Sequence, residues 1–338
     1  MEGRTTFRAY AKVNLCLSVG APVPEGPKAK FHPIATWMQA IDLYDEVIIH
    51  PLRGALESTY STRWAEDALR PTPIDWPLEK DLAVRMHRTI EESWRSCNDK
   101  GLPVSLKVVK RIPVGAGLGG GSSDAGAVLR GLVELYCTGM DQDKRLALAS
   151  SLGSDVAFFA LEDGMLADVP AAALVTGFGD AIRRVESVKG EIVLIIPPYG
   201  CPTAHVYKAY DELLKERAAR DAAERSARGI TGREKQTGPK ESLVETRWKR
   251  MSGQGRIEGD HLFNDLAMAA FRVEPRLGRL VTALSNATRR QAHVTGSGSC
   301  VFIPCGEGRI ERLMTQVQRL LGSSEDFAGV KAVRTRLL

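Results

Sequence analysis

The chain has 338 residues, of which 43% are hydrophobic, so it can bury a substantial core in one large domain or two. This length and composition exclude a disordered or a fibrous protein. Its 46 basic and 41 acidic residues leave a net charge of +5, which is too small to indicate nucleic-acid binding and is compatible with an anionic small substrate.

The cysteines and the N-terminus indicate where the protein works. The six cysteines are scattered without a Cys-x-x-Cys pair, and no histidines stand at metal-ligand spacing, so we expect reduced thiols and no protein-held metal. The N-terminal Met-Glu-Gly-Arg-Thr-Thr contains no apolar signal core, and no apolar run is long enough to span a membrane. The sequence therefore predicts a cytoplasmic monomer or homodimer without a membrane or nucleic-acid partner.

The first predicted element is a strand, or a pair of strands, over residues 7–19. Lys12 and Asn14 fall on one face of it, because successive side chains of a strand point to opposite faces. From this pattern alone, Lys12 is either a charge at a sheet edge that reaches solvent or a residue held for chemistry. A polar loop follows and ends at Phe31 and His32, where His32 is either a ligand-binding or a structural residue.

Residues 52–78 form an irregular connection, because Pro71, Pro73 and Pro77 prevent a continuous helix. An amphipathic helix follows over residues 79–96, where apolar side chains recur on one stripe. The sequence therefore predicts a loop and then a helix that packs on the core.

A strand, a glycine run and a helix then follow one another. Residues 104–108 alternate apolar and polar side chains as in a half-buried strand, which Pro113 closes. The five glycines between residues 115 and 121 allow positive φ and remove the Cβ atoms that would keep an anion from the backbone. We predict that the next helix begins at residues 122–124, so that its free N–H groups and positive dipole end face the ligand.

This glycine run predicts a phosphate cradle, and the alternative is a flexible turn before an ordinary N-cap. No Lys-Ser/Thr follows the glycines as a P-loop requires, and the spacing differs from the dinucleotide fingerprint. The cradle therefore belongs to neither of the two standard nucleotide-binding motifs.

Two further candidate sites follow the glycine run. A short helix over residues 144–152 ends at Gly153, and Asp155 after it is either the cap of the next helix or a functional carboxylate. A glycine-serine turn lies between predicted strands within residues 292–302, and it is either structural or part of a site.

Residues 215–258 are rich in charged side chains and have little hydrophobic periodicity. This texture favours a solvated insertion, part charged helix and part loop, over a surface that docks nucleic acid or a protein partner. The predicted core elements around it are a strand over residues 192–196, a helix opened by residues 197–207, and a last strand over residues 330–338.

Three motifs resemble those of the GHMP kinases, the family of the galacto-, homoserine, mevalonate and phosphomevalonate kinases. Ala-Lys-Val-Asn-Leu at residues 11–15 is similar to the first motif, residues 113–126 to the second, and residues 292–302 to the third. They occur in the family's order. The resemblance implies an α+β fold of two domains, with an N-terminal domain of the ribosomal-protein-S5 domain 2 type and a ferredoxin-like C-terminal domain.

The same resemblance implies a domain boundary and an active site. We expect the ATP-binding domain over residues 1–190 and the second domain over residues 191–338, which carries the charged insertion at about 215–258. Asp155 is implied as the catalytic base with Lys12 beside it, and Mg²⁺ is expected to arrive with ATP. The ATP-binding residues implied are Pro113, Gly115, Ala116, Gly117, Leu118, Gly119, Gly120, Gly121, Ser122, Ser123 and Asp124.

The form of the second motif resembles the branch of the family that phosphorylates the 2-hydroxyl of a cytidine diphosphate-linked methylerythritol. The substrate-binding residues that this implies are Asn14, Phe31, His32, Tyr207, Thr295, Gly296 and Ser297. The sequence departs from that branch where an Asp-Gly turn before the aromatic residue is lost and where Asp81 replaces an asparagine near adenine. The alternatives are a GHMP kinase with a changed acceptor, or a non-catalytic ATP-binding protein that docks nucleic acid through the basic insertion.

Overall fold

The structure is a computed structural model that describes residues 5–95, 101–136, 139–160, 172–227, 238–257, 259–306 and 308–338. The strands are β1 Thr5–Val19, β2 Ile34–Pro51, β3 Thr59–Trp64, β4 Val104–Lys110, β5 Ala173–Gly177, β6 Ala181–Arg184, β7 Glu191–Ile196, β8 Phe263–Asn264, β9 His293–Val294, β10 Val301–Cys305 and β11 Lys331–Arg336. The helices are α1 Leu82–Arg95, α2 Gly120–Tyr136, α3 Gln142–Leu152, α4 Ser154–Ala160, α5 Thr203–Ala227, α6 Glu241–Gln254, α7 Ala267–Val273, α8 Pro275–Thr288 and α9 Ile310–Leu321. None of the described helices is long and apolar enough to cross a membrane.

The first sheet has seven strands in the order β3-β4-β2-β1-β8, with β5 paired to β2 and β6 to β5. Its centre is the long antiparallel pair of β1 and β2. Helices α1 and α2 pack their apolar stripes on one side of this pair. From Ala9 onward β1 is buried on both faces, so Lys12 and Asn14 lie inside the molecule and not at a sheet edge.

The second sheet is antiparallel, with the strand order β11-β7-β10-β9. In chain order these four strands rank 4-1-3-2 across the sheet, and helices separate β7 from β9 and β10 from β11. This is the β-α-β-β-α-β pattern of ferredoxin-like domains, as the family resemblance implies. Helices α5, α8 and α9 cover one face with buried side chains such as Val206, Leu280 and Leu313.

Helix α6 corrects the interpretation of residues 215–258 as a solvated insertion. Val244 and Met251 on α6 are buried, and Trp248 packs beside them on the same core as β1, β2 and the end of the chain. These three side chains stand four and three residues apart, which is the spacing of one helix face. The first part of the segment does continue α5 as a charged helix to Ala227, and residues 228–237 lie outside the described residues.

Residues 52–78 contain a strand that the sequence did not predict. Strand β3 pairs in parallel with β4 at the edge of the first sheet. The following residues return toward the sheet centre, where Arg70 is buried. We call residues 52–78 the proline segment, and its end forms part of the wall of the cavity described below.

The remaining predicted elements lie close to their expected places. Helix α1 begins at Leu82 after a short 3₁₀ turn, because the Asp81 carboxylate accepts hydrogen bonds from the first free N–H groups of the helix. Helix α3 ends at Gly153 as predicted. The described cysteines Cys16, Cys201, Cys300 and Cys305 are free and buried, whereas Cys97 and Cys137 lie outside the described residues.

Candidate active site

A cavity of about 640 Å³ lies where the two sheets meet. Residues from all three motifs line it, together with the first turns of α1, α4 and α5. Of the predicted site residues, those on its wall are Lys12, Asn14, Pro113, Gly115, Ala116, Gly117, Leu118, Gly119, Gly120, Gly121, Ser122, Asp124, Asp155, Tyr207, Gly296 and Ser297. The predicted residues that do not line it are Phe31, His32, Ser123 and Thr295.

The glycine run forms a loop that turns its backbone toward the cavity. Gly115, Gly117 and Gly119 have φ of 65°, 77° and 71°, which is the left-handed region that glycine adopts without strain. Two backbone bonds hold the loop from either side: Lys12 N donates to Leu118 O at 3.0 Å and Cys300 N donates to Ala116 O at 3.1 Å. The loop is therefore preformed.

Helix α2 begins at Gly120, two residues before the predicted start. Gly119 is the last loop residue with positive φ, and its carbonyl already accepts the Ser123 N–H at 2.8 Å, as the first bond of a helix. The side chain of Ser123 is consequently buried behind the loop, while Ser122 faces the cavity. The free N–H groups of this first turn make the cavity an anion site.

The third motif is packed directly against the loop. The Thr295 hydroxyl accepts a hydrogen bond from Asn14 N at 3.0 Å and donates to Gly117 O at 3.3 Å. Asn264 holds the motif from outside, because its amide donates to the carbonyls of Val294 and Gly296, each at 2.8 Å. Thr295 is therefore a buried link between the first, second and third motifs.

Lys12 and Asp155 meet at one end of the cavity. The Lys12 ammonium lies 3.3 Å from Asp155 Oδ2 and donates to Asn14 Oδ1 at 2.7 Å. Asn14 is fixed in turn by Thr36, whose hydroxyl accepts from its amide at 2.9 Å. Asp155 stands in the first turn of α4, where the helix dipole favours a carboxylate, and its side chain is 30% exposed.

The residues predicted to bind cytidine lie beside that end. The ring of His32 packs against Tyr207 with centroids 5.0 Å apart, and only Tyr207 reaches the cavity. His32 Nδ1 donates to Gly20 O at 2.9 Å, and Nε2 lies 3.4 Å from Asp211 Oδ1. Phe31 is 61% exposed. The structure thus joins His32 to Tyr207 and leaves Phe31 at the surface.

Comparison with known proteins decides the family. Residues 81–175 match the GHMP kinases N terminal domain. The chain is 32% identical over 301 residues to a 4-diphosphocytidyl-2-C-methyl-D-erythritol kinase of Desulfotalea psychrophila, covering 88% of this chain and 85% of the relative. It is also 32% identical over 306 residues to the enzyme of that name from a Nocardioides species, covering 89% and 88%. The chain belongs to the GHMP kinase family.

Solved structures agree with this assignment. A crystal structure of 4-(cytidine 5'-diphospho)-2C-methyl-D-erythritol kinase superposes with a TM-score of 0.65 at 25% identity and covers 98% of this chain and 99% of that one. A crystal structure of L. major mevalonate kinase in complex with R-mevalonate superposes with a TM-score of 0.64 at 12% identity, covering 100% of this chain and 98% of that one, and shows the fold alone. The GHMP kinases use ATP.

A buried lysine behind the glycine loop was missed by the sequence analysis. The Lys110 ammonium lies 2.5 Å from a carboxylate oxygen of Asp45 and 2.5 Å from one of Asp124. Asp45 also accepts from the backbone N–H of Ile112 at 2.8 Å, which ties the start of the loop to β2. Lys110 was visible in the sequence only as the polar end of a strand.

The charges of this cluster do not balance. Burial by itself would lower the pKa of Lys110, but Asp124 and Asp45 raise it above its ordinary value. Burial and the negative charge of Asp45 raise the pKa of Asp124 well above the ordinary value, against the opposing effect of Lys110. Asp124 Oδ1 is buried and has no hydrogen-bond partner within the described part of the chain. Its buried position therefore favours the neutral form of Asp124.

Arg70 on the proline segment was also missed. Its guanidinium donates to the carbonyls of Pro197 at 3.0 Å and Tyr199 at 2.8 Å, and it donates to Val114 O at the start of the glycine loop. It also reaches the Ser299 hydroxyl at 3.3 Å in the third motif. No local pattern reveals such a role, because all its partners are distant in sequence.

Proposed function

We propose that the chain transfers the γ-phosphoryl group of ATP to the 2-hydroxyl of 4-diphosphocytidyl-2-C-methyl-D-erythritol, a step of non-mevalonate isoprenoid biosynthesis. The observation that carries the proposal is the Lys12–Asp155 pair, which closes one end of a glycine-lined anion cavity. A protein that only bound ATP would not require this acid–base pair. The relatives described above carry the name of the same enzyme.

The proposed reaction needs positioning and charge stabilisation more than covalent help from the protein. The 2-hydroxyl oxygen attacks the γ-phosphorus, the bond from that phosphorus to the β,γ-bridging oxygen breaks, and ADP leaves. Asp155 accepts the hydroxyl proton. The Lys12 ammonium lies 3.3 Å from Asp155 Oδ2, so we expect its positive charge to orient the carboxylate and to lower the pKa of an alcohol held beside it.

We propose that the loop from Gly115 to Ser123 holds the ATP phosphates through backbone N–H groups, and that Pro113 and Asp124 flank it. The fit is good, because glycines leave room for a phosphate chain and the first turn of α2 supplies free donors. Mg²⁺ would arrive with the nucleotide and neutralise charge on the phosphate oxygens. The described residues contain no group of three or more His, Cys, Asp or Glu side chains arranged to hold a metal ion.

For the acceptor we propose a path from Asp155 past Asn14 and Tyr207 toward His32. Tyr207 offers an aromatic face to cytosine, and His32 fixes that ring by packing on it. Gly296 and Ser297 also line the cavity, next to the buried Thr295, and the Ser297 hydroxyl is 2.9 Å from that of Thr203. Phe31 would reach cytidine only at the mouth of the site.

We further propose a cytoplasmic enzyme, monomeric or homodimeric, whose domains divide near residue 190. The change from the first sheet to the second at β7 supports this boundary. Helix α6 and strand β8, which follow residue 190, nevertheless pack on the first sheet. The boundary therefore separates the strands of the two sheets except for β8, and it does not separate two groups of residues without mutual contacts.

An ADP-release assay tests the proposed function. The purified chain is incubated with ATP, Mg²⁺ and one acceptor at a time: the cytidylyl substrate, homoserine, mevalonate or galactose. We expect ADP release with the cytidylyl substrate alone, and a product phosphorylated at the 2-hydroxyl by ³¹P NMR. Release with another acceptor would identify a different GHMP kinase. No release with any of them, together with salt-dependent RNA binding, would identify a binding protein.

A further inference from the structure

The glycine loop gives the ATP cavity a direction. A Cβ atom on Gly119 would lie 3.2 Å from the side chain of Lys12, whereas one on Gly121 would lie 3.7 Å from Leu82. The end of the loop therefore lies beside Lys12, and the first turn of α2 that follows it lies beside the start of α1. If the γ-phosphoryl group is transferred at Lys12 and Asp155, as the proposed function requires, the nucleoside of ATP extends toward Leu82.

An aromatic side chain stands on the wall at that second end. Trp76, the last aromatic residue of the proline segment, is half-buried and lines the cavity together with Asp81 and Leu82. Its indole N–H donates to Asp81 Oδ2 at 3.1 Å. Because this N–H is the only hydrogen-bonding group of tryptophan, the ring face is what Trp76 can offer a ligand.

Asp81 is already engaged in holding this arrangement. Its Oδ1 accepts the N–H groups of Ala83 at 2.9 Å and Val84 at 3.3 Å, as the N-cap of α1. Its Oδ2 accepts the Trp76 indole and lies 3.5 Å from the Thr62 hydroxyl. Asp81 therefore holds the indole ring of Trp76 in place. A carboxylate only accepts hydrogen bonds, so it cannot both donate to a base and accept from it, as an asparagine side chain could.

We propose that Trp76 is the residue on which the base of the nucleotide stacks. The rigid N-cap of α1 orients the indole, and the proline segment supplies it from outside the three family motifs. Stacking on an aromatic ring requires no hydrogen-bond donor or acceptor from the base. It therefore suits this end of the cavity, where the Asp81 carboxylate already accepts hydrogen bonds from Trp76 and from the first turn of α1.

Binding measurements with two ligands separate stacking from an effect on the loop. ATP and tripolyphosphate are titrated by calorimetry into the wild-type chain and into Trp76→Ala and Trp76→Phe. We expect Trp76→Ala to raise the Kd for ATP about tenfold, which is the order of a lost base–aromatic stack. The Kd for tripolyphosphate should stay within about twofold, because that ligand has no base. Trp76→Phe keeps a ring face and should retain most of the ATP affinity.

Trp248→Ala is the matched control, since Trp248 on α6 donates to Glu186 O and does not line the cavity. It should leave both Kd values unchanged. The proposal is overturned if Trp76→Ala and Trp76→Phe bind ATP as the wild type does, or if Trp76→Ala weakens tripolyphosphate as much as ATP. Normal kinase turnover with either result would leave the proposed function intact. A wild-type chain that does not bind ATP would overturn both the stacking role of Trp76 and the proposed kinase function.

Discussion

A methyl group on Gly117 would lie 2.1 Å from the carbonyl oxygen of Thr295. The second and third motifs therefore touch backbone to backbone, without room for any side chain between them. Gly117→Ala should push the third motif away from the ATP loop and also force alanine into a φ of 77°. We expect ATP affinity to fall by at least about tenfold and the protein to lose about 2–4 kcal/mol of stability.

Gly54→Ala separates these two effects. Gly54 has a φ of 80°, but nothing lies within 4 Å of the position its Cβ would take. This control therefore carries the backbone strain alone, on the order of 1 kcal/mol. Isothermal titration with ATP and chemical denaturation of both variants measure the difference. Equal behaviour of the two variants would show that the contact with Thr295 is unimportant.

Asp155→Asn should abolish turnover and leave ATP binding almost unchanged. The amide cannot accept the hydroxyl proton, whereas the backbone cradle for the phosphates does not involve this side chain. We expect kcat to fall by about 10²–10⁴-fold, the range for loss of a general base. Asp143→Asn, in the exposed first turn of α3, is the control with the same chemical change. Near-normal turnover of Asp155→Asn would refute the assignment of the base.

The glycine cradle was predictable from its residues, because the strand, the glycine run and the helix follow one another in the chain. The residue pattern alone left the roles of Lys12 and Asp155 open, and only the resemblance to the GHMP kinases implied that the two lie together. The roles of Lys110 and Arg70 were not predictable, because each depends on partners brought together only by the fold. The buried face of α6 was visible as the spacing of Val244, Trp248 and Met251, but the surrounding charges outweighed it. Helix α2 starts two residues earlier than predicted, because Gly120 and Gly121 already adopt the helical conformation. Only the glycines up to Gly119 use positive φ to form the loop.

Arg70→Met should loosen the ATP loop from the third motif. The change removes the donor to the carbonyls of Pro197 and Val114, whereas the carbonyl of Tyr199 keeps the hydrogen bond from the Ser299 hydroxyl. A buried carbonyl without a donor costs about 1–3 kcal/mol. We expect a lower melting temperature and a higher Kd for ATP. Arg70→Lys should rescue little, since an ammonium lacks the planar fork.

The exposed Arg63 provides the control for Arg70, because its guanidinium donates to the carbonyl of its neighbour Trp64 at 3.2 Å and does not join distant segments of the described chain. Arg63→Met should change neither the melting temperature nor the Kd for ATP appreciably. If Arg70→Met behaved in the same way, the guanidinium would not be what joins the two motifs.

Asp124→Asn should stabilise the protein at neutral pH. The folded state raises the pKa of Asp124, so it favours the neutral form, and stability present below the ordinary pKa is lost as pH rises through the raised value. Asparagine keeps an acceptor for Lys110 without a second negative charge. Urea denaturation at pH 5 and pH 8 should show a stability gain that is larger at pH 8. A loss of stability at pH 8 would mean that both carboxylates are needed in ionised form.

His293 makes the third motif sensitive to acid. Burial lowers the pKa of His293 from 6.5 to about 4, so the fold favours the neutral ring. The free energy of unfolding should therefore fall as pH decreases from 6.5 toward 4, by on the order of 3 kcal/mol in total, because each pKa unit corresponds to about 1.4 kcal/mol. Denaturation curves at pH 7, 6, 5 and 4 measure this loss.

His293→Phe should flatten that pH dependence, because phenylalanine fits beside Phe302 and does not titrate. His205→Gln, at an exposed position on α5, is the control and should leave the dependence as it is. A profile unchanged by His293→Phe would assign the acid sensitivity to other groups.

The contact between Gly117 and Thr295 also has a consequence for synthesis. A ribosome releases the ATP loop and its helix long before residues 295–300, which hold that loop through Gly117 and Ala116. The sheet that carries the loop can form early, since domains fold from the N-terminus as they emerge. If the loop holds ATP as proposed, we expect the nascent chain to retain ATP only after almost all of it has been translated.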